Sequence, residues 1–275
     1  MKQRSILITG CSSGIGLDAA RTLKERGWRV IATARKPEDI ARLTSEDGLD
    51  ALYLELADPE SIAACANDAL RLTGGTLDAL FNNAAYGQPG AVEDISPEVL
   101  RQQLNVNVVG AHDLTRRVLP SMRKNGHGRI VQCSSVLGLV AVPFRGAYCA
   151  SKFALEALTA SLRVELDGSG IKVALIEPGP IRTRFVETAL KSLLQNIDIE
   201  TSAHRDLYKA RIAAMESGGK QLFKLEPAAV TAKLIHAVES PRPRRHYYVT
   251  APTYLAAALK RVLPPAAMDY IAKKL

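Results

Sequence analysis

The stretch SILITGCSSGIGLDAARTLKERG, residues 5–27, decides the fold of this chain. It begins with a short apolar run typical of a buried strand and continues as an amphipathic helix that ends at Gly27. The turn between them, TGCSSGIG, carries Gly10, Gly14 and Gly16. In this position a glycine-rich turn holds a dinucleotide pyrophosphate on backbone N–H groups and on the helix N-terminus. A tight turn with no ligand is the alternative interpretation.

The remaining chain repeats this alternation of strand-like and helix-like segments. Apolar strand-like runs occupy residues 5–10, 28–35, 49–56, 77–85, 128–135, 171–179 and 244–251, and the longest predicted helices cover 97–124 and 148–167. Such alternation predicts the α/β class, with a single doubly wound (Rossmann) domain, residues 1–275, around a central parallel sheet. The long insertion at 180–224 is predicted to form a small helical substrate lid, and residues 250–275 a C-terminal extension.

The composition is that of a globular protein, with 47% hydrophobic and 23% charged residues among 275. The formal charge of +8 suits an anionic cofactor or lipid, but the basic residues are scattered and aromatic residues make up only 5%. This pattern excludes nucleic acid as an expected partner. The four cysteines form no CxxC pair, so we expect reduced thiols and no metal site. Neither a signal peptide nor a transmembrane run is found, which predicts a cytoplasmic protein.

The end of the second strand, ATARK, bears on the choice of dinucleotide. A site for NAD places an acidic residue there to bind the ribose 2′-hydroxyl, but here Ala34 is followed by two cations, the first of which is Arg35. Arg35 together with Ser12 or Ser13 can instead bind the 2′-phosphate of NADP. The pattern therefore favours NADP (NADPH) over NAD, with a solvent-exposed basic turn as the alternative.

A second chemical pattern lies in AYCASKFALEAL, residues 147–158, where Tyr148 precedes Lys152 by four positions. In a helix these side chains lie on one face and can reach the same cleft. A nearby ammonium favours phenolate over phenol, and so it lowers the tyrosine pKa from about 10 and allows proton exchange near neutral pH. A surface pair without chemical function is the alternative.

Six motifs in order along the chain resemble the short-chain dehydrogenase/reductase family. TGCSSGIG is similar to the family pattern TGxxxGIG, and NNAA, residues 82–85, is similar to NNAG. Asn107 occupies the position of the family's active-site asparagine, and Ser135 lies 13 residues before the tyrosine of YCASK, which matches YxxxK. PGPIRT, residues 178–183, matches PGxxxT. The strongest similarity is to the branch that contains 17β-hydroxysteroid dehydrogenase type 1, retinol dehydrogenases and bacterial carbonyl reductases.

The resemblance implies a catalytic set of Asn107, Ser135, Tyr148 and Lys152. In reduction, Tyr148 donates its proton to the carbonyl oxygen as hydride leaves the nicotinamide. Lys152 lowers the Tyr148 pKa and hydrogen-bonds the nicotinamide ribose, while Ser135 orients and polarises the carbonyl. Asn107 holds a water that links Lys152 to solvent.

The resemblance also implies the coenzyme contacts. They are Gly10, Ser12, Ser13, Gly14, Ile15, Gly16, Arg35, Leu56, Asn83, Ala84, Tyr148, Lys152, Pro178, Gly179, Ile181 and Thr183. Two positions depart from the family pattern. Ala85 replaces the glycine of NNAG, and its methyl group is tolerable only if the backbone φ is negative; Glu55 replaces an aspartate near the adenine.

The apolar segment VLGLVAVPF and the apolar lid predict a hydrophobic ketone or aldehyde as substrate. The predicted substrate contacts are Val142, Phe144 and Phe185. Three arginines near the cleft are expected to face solvent or a coenzyme phosphate rather than a substrate carboxylate: Arg145, Arg182 and Arg184.

Together these features predict an NADP(H)-dependent oxidoreductase that interconverts a hydrophobic carbonyl compound and its alcohol. An NAD-dependent alcohol or hydroxysteroid dehydrogenase and a non-catalytic dinucleotide-sensing protein are the alternatives. The helices at 97–124 and 148–167 are expected to pack across a two-fold axis in a homodimer or homotetramer. The basic C-terminal segment is expected to cover the cleft or a subunit edge, with contact to an anionic membrane surface as the alternative.

Overall fold

A seven-stranded parallel sheet forms the centre of the computed structural model, which describes residues 3–216 and 223–273. The strands are β1 (Ser5–Ile8), β2 (Arg29–Ala34), β3 (Asp50–Tyr53), β4 (Ala79–Asn82), β5 (Gly128–Cys133), β6 (Ile171–Glu177) and β7 (His246–Tyr248). Their order is β3-β2-β1-β4-β5-β6-β7, and every neighbouring pair is parallel. The winding reverses between β1 and β4, as in a doubly wound sheet. The predicted α/β class and Rossmann architecture are confirmed.

Helices connect the strands and cover both faces of the sheet. They are α1 (Gly14–Glu25), α2 (Pro37–Ser45), α3 (Pro59–Leu72), α4 (Pro97–Leu104), α5 (Ala111–Asn125), α6 (Gly146–Glu165), α7 (Phe185–Asn196), α8 (Arg205–Glu216), α9 (Ala228–Glu239), α10 (Ala251–Val262) and α11 (Pro265–Ala272). Local sequence determines where α3 begins. The Asp58 carboxylate accepts a 2.9 Å hydrogen bond from the Glu60 N–H, and a proline follows at the first helical position.

The core has one layer on each face of the sheet. Ile6 and Ile8 of β1 point to the layer that also contains Leu23 of α1, whereas Leu7 points to the opposite layer with Leu114 of α5. All five side chains are fully buried. Because successive strand residues face opposite sides and both sides are covered, a central strand such as β1 is apolar on both faces and appears in the sequence as a continuous apolar run.

The helix predicted over 97–124 is not continuous. A π-helical segment, Asn105–Gly110, separates α4 from α5. A Cβ on Gly110 would lie 2.2 Å from the Leu56 carbonyl oxygen, so the chain passes this close to the loop after β3 only because residue 110 has no side chain. The prediction of one regular helix was therefore wrong at its centre, since hydrophobic periodicity does not reveal an extra residue in a single turn.

The insertion after β6 contains α7 and α8, which pack around a small apolar cluster. This cluster consists of Ala91, Leu193, Ile197 and Tyr208. The Tyr208 hydroxyl donates a 2.7 Å hydrogen bond to Asp94 Oδ2. Part of the segment predicted as a lid, residues 217–222, lies outside the described residues. The assignment of 180–224 as a lid, and of one domain over the whole chain, stays a prediction.

The predicted C-terminal extension consists of α10 and α11, with residues 274–275 outside the described part of the chain. Within residues 3–216 and 223–273, no helix has both the length and the apolarity needed to cross a membrane.

Candidate active site

Most residues predicted to bind coenzyme or substrate lie in loops that follow the strands, at the carboxyl edge of the sheet. The glycine turn follows β1, Arg35 follows β2, Asn83 follows β4, Ser135 follows β5 and Gly179 follows β6. In doubly wound sheets, ligands bind in the crevice at this edge, where the strand order reverses. The topology therefore brings together motifs that are widely separated in sequence.

The turn after β1 has the backbone geometry that a dinucleotide requires. Gly10 and Gly14 have φ values of +74° and +58°, in the left-handed region that favours glycine. A Cβ on Gly16 would lie 2.2 Å from the Gly10 carbonyl oxygen, so α1 begins in direct contact with the turn. The Ser13 side chain does not cap α1, which leaves the first N–H groups of the helix for an anion. These residues fit a pyrophosphate.

Hydrogen bonds join this turn to the loop after β4. The Thr9 hydroxyl accepts from the backbone N–H groups of Asn83 and Ala84, each at 2.9 Å, and Asn83 Nδ2 donates to the Thr9 carbonyl at 2.9 Å. Sequence reasoning missed Thr9; a hydroxyl next to the glycine turn was the available signal. Ala85 is not among the described residues with positive φ, so its methyl group causes no backbone strain.

The loop after β6 faces the glycine turn. A Cβ on Gly14 would lie 2.9 Å from Thr183 Cγ2, and the Pro178 carbonyl accepts a 2.8 Å hydrogen bond from the Val136 N–H. The remaining predicted coenzyme residues also lie in loops or first turns at this edge: Ile15 in α1, Leu56 after β3, and Gly179 and Ile181 after β6.

Arg35 lies at the outer rim of this crevice. Its side chain is 65% exposed, and Nη1 lies 3.4 Å from Glu55 Oε2. An exposed ion pair of this kind contributes little stability, so a phosphate can replace Glu55 as its partner. The Ser12 carbonyl accepts a 2.8 Å hydrogen bond from Arg42 of α2, a second guanidinium beside the turn that sequence reasoning missed.

Tyr148 and Lys152 lie on the first turns of α6, and both are buried, with 8% and 3% of their surface exposed. The Lys152 ammonium nitrogen lies 5.6 Å from the centre of the Tyr148 ring and donates a 2.7 Å hydrogen bond to the Cys133 carbonyl. Ser135 begins the 3-10 turn after β5 and lies within hydrogen-bonding reach of the Tyr148 phenol. The structure thus brings three of the four predicted catalytic residues together.

Burial controls the titration of this group. It raises the pKa of the Tyr148 phenol, while the hydrogen bond to Ser135 and the charge of Arg145 act in the opposite direction. Burial also lowers the pKa of the Lys152 ammonium. The net lowering of the Tyr148 pKa that the sequence predicts is therefore wrong, because desolvation of the phenolate outweighs the Ser135 hydrogen bond and the Arg145 charge.

Asn107 lies inside the π-helical segment and is 2% exposed. Its Oδ1 accepts from the Tyr86 N–H at 3.1 Å, and its Nδ2 donates to the Tyr86 carbonyl at 2.9 Å and to Ser151 Oγ at 3.1 Å. Both amide hydrogens are therefore in use. The side chain joins the loop after β4 to α6, and the predicted water cannot accept a hydrogen bond from this amide in the observed arrangement.

A partly buried cluster of ionisable residues that sequence reasoning missed begins one helical turn beyond Lys152. Glu156 of α6, Glu177 of β6 and His246 of β7 place carboxylate and imidazole atoms within 4.8 Å of one another. His246 Nδ1 lies 2.6 Å from Glu177 Oε1. Burial raises the pKa of Glu156 to about 7, and the Glu156 charge favours the protonated form of Lys152. The prediction of no metal site did not consider this set, because its members share no local motif.

The predicted substrate residues separate into two places. The Phe185 ring lies 5.4 Å from the Tyr148 ring, whereas Phe144 packs edge-on against Tyr208 of the lid segment at 5.2 Å. Val142 is half-buried in the loop before α6. Phe185 therefore lies beside the phenol, and Phe144 lines the inner side of α8.

The glycine turn and the buried pair of Tyr148 and Lys152 lie at the same edge of a doubly wound sheet, and comparisons with known proteins identify the family. The family model described as short chain dehydrogenase matches residues 4–193. An Escherichia coli K12 protein, the uncharacterized oxidoreductase YbbO, is 46% identical over 269 residues, which cover 98% of this chain and 94% of that protein. Human 17-beta-hydroxysteroid dehydrogenase type 1 is 35% identical over 288 residues, covering 98% and 84%. A short-chain dehydrogenase/reductase structure from Burkholderia phymatum in complex with NAD has a TM-score of 0.79 at 24% identity, covering 95% and 92%.

The chain therefore belongs to the short-chain dehydrogenase family. It is a dehydrogenase/reductase. The predicted family, with 17β-hydroxysteroid dehydrogenase among its relatives, and the predicted enzyme class are confirmed.

Proposed function

We propose that this chain is an NADP(H)-dependent enzyme that interconverts a hydrophobic ketone or aldehyde and its alcohol. The observation that carries the proposal is the buried group of Tyr148, Lys152 and Ser135, which lies at the same carboxyl edge of the sheet as the glycine turn in a chain of an oxidoreductase family. Phe185 supports an apolar substrate, since its ring forms one wall beside the phenol.

In the proposed reduction, the nicotinamide supplies hydride when the coenzyme is bound. Tyr148 donates its phenol proton to the carbonyl oxygen, and the Ser135 hydroxyl donates a hydrogen bond to the same oxygen. Because burial raises the pKa of Tyr148, the phenol stays protonated at neutral pH, which suits an acid in the reducing direction. Lys152 places a positive charge beside the phenol and stabilises the phenolate after proton transfer.

Replacement of Tyr148 by Phe tests the catalytic proposal. Tyr148→Phe keeps the buried ring and removes the proton, so turnover of a carbonyl panel with NADPH should fall by ~10²–10⁴-fold. Coenzyme affinity, measured by the fluorescence of bound NADPH, should remain within about two-fold, because the glycine turn is unchanged. Tyr254→Phe on the exposed side of α10 is the matched control. Near-normal turnover in folded Tyr148→Phe would contradict the proposed mechanism. If the wild type binds coenzyme but turns over no carbonyl compound, the dinucleotide-sensing alternative is favoured.

The preference for NADP(H) is a separate proposal that depends on Arg35. Its guanidinium can form charge-assisted hydrogen bonds with the 2′-phosphate, worth about 1.5–3 kcal/mol, or roughly 10–150-fold in favour of NADPH over NADH. The preference is measured as the ratio of kcat/KM with NADPH to kcat/KM with NADH. Arg35→Ala should abolish most of this preference, and Arg71→Ala on the exposed surface of α3 should leave the ratio unchanged. The preference should weaken in high salt, because Arg35 is exposed. A wild type that prefers NADH would favour the NAD-dependent alternative.

A further inference from the structure

A cavity of about 180 Å³ lies between the N-terminal end of α6 and the lid helices α7 and α8. Leu193, Tyr208 and Met215 contribute apolar surface to its walls. The cavity is also lined by Arg145 and Arg211, two cations in otherwise apolar surroundings. A wall of this composition suits a ligand with an apolar chain and an anionic end.

The two guanidinium groups lack an acidic partner within the part of the chain that the structure describes. Arg211 instead lies over the Phe144 ring, with Cζ 4.5 Å from the ring centre. Neighbouring lid cations are paired: Arg205 with Asp206 at 3.6 Å, and Lys209 with Glu200 at 3.0 Å. The sequence of residues 217–222, SGGKQL, contains no acidic residue that could pair with either arginine.

Leaving these cations unpaired costs free energy. Burial lowers the pKa of Arg145, and the like charge of Arg211 lowers it further. The backbone at this point is also strained, since Phe144 has a φ of +62°, unusual for a residue with a side chain. Half-buried cations without an acidic partner, together with local backbone strain, are features that proteins retain mainly at functional sites.

The cavity is next to the proposed catalytic tyrosine. Gly87 lies against the Tyr148 ring, where a Cβ would be 3.6 Å from Cδ2. Gly90 lines the cavity, and its N–H donates a 3.0 Å hydrogen bond to the Phe144 carbonyl. Three residues of chain span at most about 10 Å, so the cavity is no farther than that from Gly87 along this loop. Arg145 is close enough to Tyr148 for its charge to lower the phenol pKa.

We propose that the substrate is an oxo acid whose carbonyl group lies at Tyr148, and that Arg145 and Arg211 bind its carboxylate. The inference rests on the proposed function, because it places the carbonyl at Tyr148. It corrects the expectation that Arg145 faces solvent or a coenzyme phosphate. The carbon chain between the two groups would contact Leu193, Tyr208 and Met215.

The test compares an ω-oxo carboxylic acid with its methyl ester as substrates, each with NADPH and NADH. The wild type should show a kcat/KM for the acid that is roughly ten-fold or more above that for the ester, by the scale of charge-assisted hydrogen bonds. Arg211→Met keeps an aliphatic side chain against Phe144 and should lower the ratio of kcat/KM for the acid to kcat/KM for the ester, because the loss of one guanidinium weakens binding of the carboxylate but not of the ester group. Arg205→Met, on the same helix but away from the cavity, should behave as the wild type.

The outcomes separate this inference from the proposed function. Equal reduction of acid and ester by the wild type would overturn the carboxylate site and leave the carbonyl reductase proposal intact. If no carbonyl compound is reduced, the proposed function fails, and binding decides the inference. Octanoate should then raise the melting temperature of the wild type with coenzyme, and octanamide should not. Neither compound should raise the melting temperature of Arg211→Met. Equal shifts of the melting temperature with octanoate and octanamide, or in the wild type and Arg211→Met, would contradict the carboxylate site.

Discussion

Tyr148 and Glu156, two turns apart on α6, show how burial changes the chemistry of a single residue. Desolvation penalises the charged form of each, so it raises the pKa of both groups. For the phenol the result is an acid that keeps its proton at neutral pH. For Glu156 the result is a carboxyl group with a pKa of about 7, which changes charge in the physiological range beside Lys152.

A pH-dependent stability follows for Glu156. Since its pKa is raised from 4.5 to about 7, the folded state binds the proton more tightly, and the free energy of unfolding falls as pH rises through that interval. At 1.36 kcal/mol per pH unit the loss is about 3 kcal/mol at most. Glu156→Gln cannot ionise, so urea denaturation at pH 5 and pH 8 should show the variant gaining stability relative to the wild type at the higher pH.

Glu165→Gln, at the exposed end of the same helix, is the control and should follow the wild type at both values. Burial raises the pKa of Glu177 in the same cluster, so a residual pH dependence is expected in Glu156→Gln. An identical pH dependence in wild type and Glu156→Gln would contradict the raised pKa.

At the scale of elements, two glycines allow backbone segments to approach each other more closely than any side chain would permit. Gly16 lets α1 start against the turn after β1, and Gly110 lets the π-helical segment pass the loop after β3. In both places the tight contact lies at the carboxyl edge of the sheet, where the coenzyme is proposed to bind. The glycines therefore determine the shape of the site as well as its flexibility.

Gly16→Ala should weaken coenzyme binding. Its Cβ would overlap the Gly10 carbonyl oxygen, so α1 must move and the N–H groups that face the pyrophosphate move with it. We expect the Kd for NADPH to rise by roughly ten-fold or more, equivalent to ~1.4 kcal/mol, in a fluorescence titration. Gly126→Ala is the control: it has a φ of +68° at the end of α5 with open space around it, so it should lower stability by ~1–2 kcal/mol without affecting the Kd. Unchanged affinity in folded Gly16→Ala would contradict the proposed cradle.

At the scale of the whole molecule, α6 has one catalytic face and one exposed apolar face. Tyr148 and Lys152 are buried, whereas Phe153 and Val164 lie on an outer stripe with Ala157 and Ala160 between them. Val109, on the neighbouring π-helical segment, is 55% exposed. An apolar surface shared by these two elements supports the proposed two-fold packing of the regions 97–124 and 148–167.

The homodimer or homotetramer can be tested by light scattering. The wild type should have at least twice the monomer mass at micromolar concentration, and Val164→Glu should shift it toward monomer, because a charge would be buried between subunits. Val164 is 76% exposed in the single chain, so the substitution should not disturb the monomer fold. Leu207→Glu, at a site 53% exposed on α8 and outside both regions, should leave the mass unchanged. A monomeric wild type would refute the proposed assembly.

The sequence by itself determined the α/β class, the doubly wound sheet and the positions of its strands, because these depend on local patterns. Buried parallel strands are continuous apolar runs, and a glycine turn after the first of them identifies the dinucleotide edge. The motif residues Ser135, Tyr148 and Lys152 were also predictable, since each has a recognisable spacing to the next.

Only the tertiary structure decided the properties that depend on neighbours from distant parts of the chain. The raised pKa of Tyr148 reflects burial beneath several segments, and the amide of Asn107 is engaged by Tyr86 and Ser151. The carboxylates of Glu156 and Glu177 meet because α6 packs against β6. Arg145 and Arg211, 66 positions apart, share a cavity because α8 folds back over the start of α6. Desolvation and charge interaction act through space, and no local pattern in the chain encodes those distances.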